Sequence, residues 1–399
     1  MERKSLRNIQ IRTVSILVAI VISAQVLGGC APISEAFHSI FPETPTAADT
    51  YLSIAEADEE IVEAMKEGKT EITLNIANVT EQDIKNIAIN MSPFWGTPTE
   101  YSIDRTFEDV EGIVEGKAVD VLTVTSHLEL SNNYYVVQNI RNKAEIPEGN
   151  GEAVRIAEAL PAIITEIFGE NGEVGPTPYE QALATHDWLV SQLEYDDTID
   201  EFSTQNGSFG ALVGKRTMCV GYAEAFELIL RCNTDIETQM VIGDSMNRDS
   251  NGNYSGNWVG HAWNVVKMDG GWYQVDATFD DPVGNTEGTV EHGYFGQSDE
   301  VMKADHQWEA DFAPVCDAGN FFYFRKSGLM TSDQAEFETV VRNILKNGDP
   351  TQIEVATSGV TIDERDLRFI FSANENVQQI LWDDYAYGDI TVVNIEPQY

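Results

Sequence analysis

Three residues, Cys219, His261 and Asp276, stand in sequence surroundings that suit nucleophilic acyl transfer. Cys219 lies in GALVGKRTMCVGYAEAFELILRC, where a turn-prone Gly214-Lys215-Arg216-Thr217 leads into a helical pattern with apolar positions 222, 226, 229 and 230 on one side. A thiol at a helix start feels the positive end of the dipole, which draws its pKa below about 8.5. Lys215 and Arg216 add positive charge nearby. His261 and Asp276 lie in HAWNVVKMDGGWYQVDAT, which reads as two strands joined by the favoured hairpin dipeptide Asp269-Gly270. With those two residues as the loop, Met268 opposes Gly271 and Asp276 faces Trp263. His261 has the parity of Trp263, so it projects from the face of Asp276 as a diagonal neighbour, roughly 7–8 Å away between backbones. A carboxylate can then orient an imidazole that ionises a thiol, which is what nucleophilic thiol catalysis needs. Taken singly, each of the three is a commonplace structural residue; the combination carries the reading.

The elements that must position these residues are legible on both sides. Thr177-Pro178-Tyr179-Glu180 is a capping box with proline at the first helical position. The helix it opens runs through ALATHDWLVSQL, with Leu183, His186, Leu189, Val190 and Leu193 along one face. Residues 170–325 thus form a central domain, preceded by an α+β unit over 51–168 and followed by another over 326–399. In the first, AEADEEIVEAMKEG predicts a helix and TEITLNI a half-buried strand. TEQDIKNIAINM opens as a helix, while VDVLTVTSHLEL and YYVVQNI are strand-like around a turn at Ser131-Asn132-Asn133. The C-terminal unit reads helix, strand, helix, then two strands, and its order weakly echoes that of the N-terminal unit.

The first thirty residues read as an address. Arg3, Lys4, Arg7 and Arg12 precede an apolar run over 13–27 of signal-peptide length, shorter than the roughly twenty residues of a membrane span. Leu27-Gly28-Gly29-Cys30 resembles a bacterial lipobox, which implies removal of residues 1–29, lipidation of Cys30 and a tether over 30–50. The expected location is therefore the outer face of a bacterial membrane, held by the N-terminal lipid. With 24 basic and 66 acidic residues the formal charge is -42, and the acidic groups are spread along the chain. Nucleic acid is excluded as a partner, since its backbone needs a basic footprint.

TMCVGYAEAFELILR, GHAWNVV and GWYQVDATFDDP together are similar to the transglutaminase-like superfamily, in particular its bacterial exported members, and the resemblance covers about 175–325. It implies an α+β, papain-like fold with a helix packed on an antiparallel sheet, with Cys219 as nucleophile, His261 as general base and acid, and Asp276 as orienter. Phe279 stands where many relatives have tryptophan. Papain-like enzymes also carry a glutamine about six residues before the nucleophile, where this chain has Val213. The backbone N–H of Cys219 supplies one oxyanion donor. Tyr195, Gln205 and Asn206 are candidates for the second, Tyr195 being favoured because it ends the preceding helix. Trp258 and Trp263 are candidates for lining the substrate groove.

No cofactor and no metal is expected. No C-x-x-C pair suggests zinc, and His38, His127, His186, His292 and His306 share no metal spacing. Asn247, Asp249, Asn251 and Gly252 imitate the start of a calcium loop whose twelfth position is Trp258, so a polar loop is the better reading. Cys232 and Cys316 are read either as a disulfide or as two separate thiols. The expected partner is a peptide or protein amide, with cell-wall peptide among the options, and the thioester would be resolved by water (peptidase or amidase) or by an amine (transglutaminase). The rival is a catalytically inactive module of the same fold that binds peptides or wall polymer.

Overall fold

The computed structural model describes residues 60, 69, 71–77 and 101–399, apart from 115–116, 171–172, 201–202, 249–253, 282–288, 309–312, 320–322, 373 and 388. Cys30 with its leader and tether, the helices expected within 55–68 and 80–91 save for residue 60, and residues 249–253 of the calcium-like loop lie outside the described residues. The chain divides into two compact units, with the boundary between Leu130 and Ser131.

In the first unit, β1 (Glu71–Ala77), β2 (Tyr101–Val114) and β3 (Lys117–Leu130) form an antiparallel sheet in the order β1-β3-β2. Thr73 pairs with Thr125 across β1 and β3, their hydroxyls 2.9 Å apart.

The second unit opens with α1 (Asn132–Asn142), where the sequence predicts a strand for YYVVQNI. Ser131 caps α1, its hydroxyl accepting from the Tyr134 N–H at 3.4 Å. Val136 and Val137 are buried in one core with Ile156 and Leu160 of α2 (Gly151–Phe168). Tertiary burial thus overrides the strand preference of a valine- and tyrosine-rich run. The same core takes in α3 (Pro178–Gln192) and α4 (Cys219–Asn233), through Leu189, Phe226 and Ile229. The boundary expected near 168 therefore falls at 130, because α1 and α2 bury their apolar faces against the central helices.

Between α3 and α4, β4 (Glu194–Tyr195) and β5 (Arg216–Thr217) pair in parallel, flanking a π-helical turn at Gly210–Gly214. Beyond α4 come β6 (Thr238–Arg248), β7 (Tyr254–Met268), β8 (Gly271–Val275), β9 (Phe295–Gln297), the short helix α5 (Asp299–Met302) and β10 (His306–Gln307). These strands form an antiparallel sheet in the order β10-β6-β7-β8-β9. Met268 opposes Gly271, as the hairpin reading predicts. Asp269 and Gly270 both have positive φ, 51° and 86°, the backbone a two-residue primed turn requires.

The C-terminal part follows the predicted order. After α6 (Tyr323–Lys326) and β11 (Met330–Thr331) come α7 (Gln334–Lys346), β12 (Ile353–Ser358), α8 (Glu364–Phe371), β13 (Gln379–Tyr387) and β14 (Ile390–Gln398). The sheet order is β11-β12-β14-β13, and α7 and α8 bury Phe337, Val341 and Leu367 with Ile353 and Ile395. It is not a separate body, because Ala356, Ile390 and Val392 share a core with Trp263, Val265 and Tyr294. The whole is an α+β fold in which a cysteine-bearing helix packs on an antiparallel sheet.

Candidate active site

Cys219 is the first residue of α4, with Met218 as N-cap, and it is buried. Two close approaches, one to backbone and one to a side chain, set this helix start. A Cβ on Gly210 would lie 1.9 Å from the Gln205 carbonyl oxygen, and one on Gly221 would lie 1.9 Å from Thr217 Oγ1. Glycine at both positions lets the π-turn and β5 close against the first turn of α4. Ala223 and Ala262 pack beside the thiol, and Asn264 Nδ2 donates to the Ala223 carbonyl at 3.0 Å, pinning α4 to β7.

His261, on β7, directs Nε2 to Asp276 Oδ2 at 2.7 Å, and its ring also bonds the Cys219 sulfur. Since Nε2 faces the carboxylate, Nδ1 is the nitrogen turned to the thiol. The Ala262 backbone N–H also points at that sulfur. Asp276 follows β8 and is enclosed completely. Its Oδ1 accepts from the Thr278 and Phe279 N–H groups at 2.9 and 3.2 Å, and its Oδ2 also meets His306 Nε2 at 3.0 Å. His306 Nδ1 is held in turn by Asp305 Oδ1 at 2.7 Å, and Asp305 takes a hydrogen bond from the Tyr294 hydroxyl.

Burial alone would raise the Asp276 carboxyl, yet His261 and His306 hold it well below the usual carboxylate range. Burial likewise pushes the His261 imidazolium down, but the Asp276 charge and hydrogen bond and the Cys219 thiol carry it up to about 10. Burial would raise the Cys219 thiol; its bond to His261, the imidazolium charge and the Ala262 N–H outweigh this and lower it. The two partners shift in opposite directions, so when the pair holds one proton the fold favours it on the imidazole, leaving the sulfur as thiolate.

Other expected residues land differently. Tyr195 lies where β4 pairs with β5, opposite Thr217 and two positions before Cys219 on the facing strand. Burial and then the Cys219, Asp197 and Asp276 charges push its hydroxyl up to about 12, so it stays a donor. Gln205 turns its side-chain carbonyl toward Gly214, and its backbone carbonyl accepts from Thr217 Oγ1 at 2.9 Å. Asn206 is buried, its backbone N–H bonded to the Ser203 carbonyl. Trp258 is 41% exposed on β7, but Trp263 is 1% exposed. Trp263 donates its indole N–H to Gln274 Oε1 at 2.7 Å and lies parallel to the His261 ring at 5.8 Å, so it backs the imidazole from the core and lines no groove. Arg216 pairs with Glu194 and Asp196, and Lys215 sits over the Trp188 ring, so neither supplies the charge that ionises the thiol. Cys232 and Cys316 are buried in different cores and are not joined, so the two-thiol reading holds and the disulfide does not. His306 and Asp305, which support Asp276 from behind, are given no role in the site by the sequence reading. They lie in the charged stretch SDEVMKADHQWEAD, whose pattern singles out neither.

Residues 171–277, which contain Cys219, His261 and Asp276, match the model of the Transglutaminase-like superfamily. Over those residues the chain is similar to a transglutaminase-like core. Solved structures similar to it include one described as a TGase, at 14% identity and TM-score 0.26 over 54% of this chain. This chain covers 52% of that protein, about half its length. Another is a candidate cysteine protease of Cytophaga hutchinsonii, at 14% identity and TM-score 0.25 over 56% of this chain and 75% of that one. A third is the periplasmic domain of TgpA from Pseudomonas aeruginosa bound to ethylmercury, at 16% identity and TM-score 0.24 over 47% and 68%. No curated protein matches the chain. Among the described residues no helix is long and apolar enough to cross a membrane.

Proposed function

We propose that the transglutaminase-like domain transfers acyl groups from peptide or protein amides through Cys219, His261 and Asp276. The observation that carries the reading is one imidazole, His261, bonded at Nε2 to a buried carboxylate and at its other nitrogen to a sulfur at a helix N-terminus. The Cys219 thiolate attacks the amide carbonyl carbon, forming a carbon–sulfur bond while the π electrons move to oxygen. The Cys219 backbone N–H, which has no partner within the helix at that position, and the Tyr195 hydroxyl receive the oxyanion. Collapse expels the amine, which takes the His261 proton and leaves a thioester. Water or a second amine then gives its proton to His261 and attacks the thioester, releasing the Cys219 thiolate. Asp276 stays ionised throughout and fixes the imidazole tautomer.

The apolar run and lipobox-like ending at Cys30 support an exported enzyme held by lipid at a bacterial surface, with extracellular or wall peptides within reach. Casein, peptidoglycan stem peptides and a labelled primary amine probe both outcomes, hydrolysis and amine incorporation. Turnover of at least one, abolished in Cys219→Ala, is expected. Wild type indistinguishable from Cys219→Ala on all of them would return the domain to a binding module.

A further inference from the structure

A second cluster lies away from the thiol. His186 Nδ1 and His292 Nε2 converge on the same oxygen, Asp187 Oδ1, at 3.0 and 3.2 Å. The three ligand atoms lie within 4.8 Å of one another. The far nitrogen of each ring is held by a buried carboxylate: His186 Nε2 meets Asp280 Oδ2 at 3.0 Å, and His292 Nδ1 meets Glu354 Oε2 at 2.7 Å. Tyr323 stacks on His292 at 3.8 Å and Phe295 packs edge-on to His186 at 5.1 Å, so both rings are fixed.

We propose that His186, Asp187 and His292 bind a divalent first-row transition metal ion of the zinc type. Metal-bound histidines are oriented by a carboxylate on the far nitrogen, and here both rings have one. When the far nitrogens donate to Asp280 and Glu354, the neutral tautomers turn two lone pairs onto the Asp187 carboxylate, an arrangement that calls for a cation between them. Zinc bonds of about 2.0–2.1 Å in a tetrahedron put neighbouring ligand atoms about 3.3 Å apart, close to the 3.0 and 3.2 Å from the two imidazoles to Asp187 Oδ1. The Asp187 side chain is 41% exposed, which leaves an entry path and room for water as the remaining ligand. Two imidazoles with one carboxylate suit this ion class better than magnesium or calcium, which prefer oxygen-rich shells. The ion would tie α3 to the segment before β9 and, through Glu354, to β12. Among the described residues the other group of this kind, His261, Asp276 and His306, belongs to the site already described, and Asp276 there is wholly enclosed.

The test uses the full chain stripped with a chelator and titrated with cobalt(II) as a spectroscopic probe, in a Cys219→Ala background so that the thiol takes no part. The expected result is a visible ligand-field band saturating at about one ion per chain, with no thiolate charge-transfer band, and displaced by zinc. Asp187→Asn at a partly exposed side chain, and His292→Gln beside it, each lower cobalt affinity about tenfold or more, while Glu354→Gln lowers it about 10–100-fold through the His292 ring. Circular dichroism of each stripped variant confirms that it is folded. Absence of the band in Cys219→Ala, or its retention at full affinity in either folded ligand variant, overturns the proposal.

Discussion

At the scale of single residues, the site is a chain of polar contacts seen from the sulfur outward: Cys219, His261, Asp276, His306, Asp305. Asp276 accepts four hydrogen bonds, two of them from backbone N–H groups that keep it in place whatever the imidazoles do. Replacing it with asparagine preserves the shape and removes the charge that raises His261. Asp276→Asn is therefore expected to lower kcat/KM by about 10²–10⁴ with little change in KM. Steady-state kinetics on whichever amide the wild type turns over measures this. A variant within about threefold of wild type would show that the carboxylate does not orient the base. Trp263 illustrates how a residue's role depends on which side of a strand it occupies. It shares parity with His261, so it lies under the imidazole and its indole N–H is bonded inside the core.

At the scale of elements, the thiol is presented by a joint that glycine makes possible. The π-turn at Gly210–Gly214 runs so close to the Gln205 and Arg216 carbonyls that a methyl group on Gly210 would sit 1.9 and 2.9 Å from them. Backbone cannot swing aside as a side chain can. Gly210→Ala should therefore destabilise the fold by about 1–3 kcal/mol in urea unfolding and slow alkylation of Cys219 by displacing β5. Gly319→Ala, with open space around it, is the control and should be nearly neutral. Equal stability of the two variants would mean the turn is not a constraint. The hairpin that brings His261 to Asp276 was legible beforehand, because Asp269-Gly270 sets a two-residue loop and the register follows by counting. The helix start at Cys219 was legible too, from the turn residues before it and the apolar spacing after it. The strand reading of YYVVQNI failed because Ser131 acts as a cap and the valines bury against α2, an interaction invisible in local pattern. The groupings of His306 with Asp276, and of His186 with His292, were illegible because folding joins positions 30 and more than 100 residues apart.

At the scale of the whole molecule, burial of ionisable groups sets how stability responds to pH. Desolvation raises Asp280 and Asp281 to about 6 and Glu291 to about 8, and His261 stands at about 10. Each binds protons more tightly folded than unfolded, so stability falls as pH rises through about 5 to 9. Cys219 and Lys215, both lowered in the fold, oppose this, Lys215 only from about pH 8 upward. Below about pH 4 the sign reverses, because Asp276 is held low in the fold and its protonation costs stability. The formal charge of -42 adds self-repulsion as the carboxylates ionise. The melting temperature in chelator should therefore peak near about pH 5 and decline toward pH 9; a flat or rising profile over that interval would contradict the buried-carboxyl account. The central claim, that His261 ionises Cys219, is tested most directly by the rate of iodoacetamide labelling of Cys219 as a function of pH, read by peptide mass mapping in wild type and His261→Ala. The account predicts a wild-type rate already at its plateau near neutrality and an inflection moved up toward about 8.5 in His261→Ala, whereas a shared inflection near 8.5 in both would contradict it.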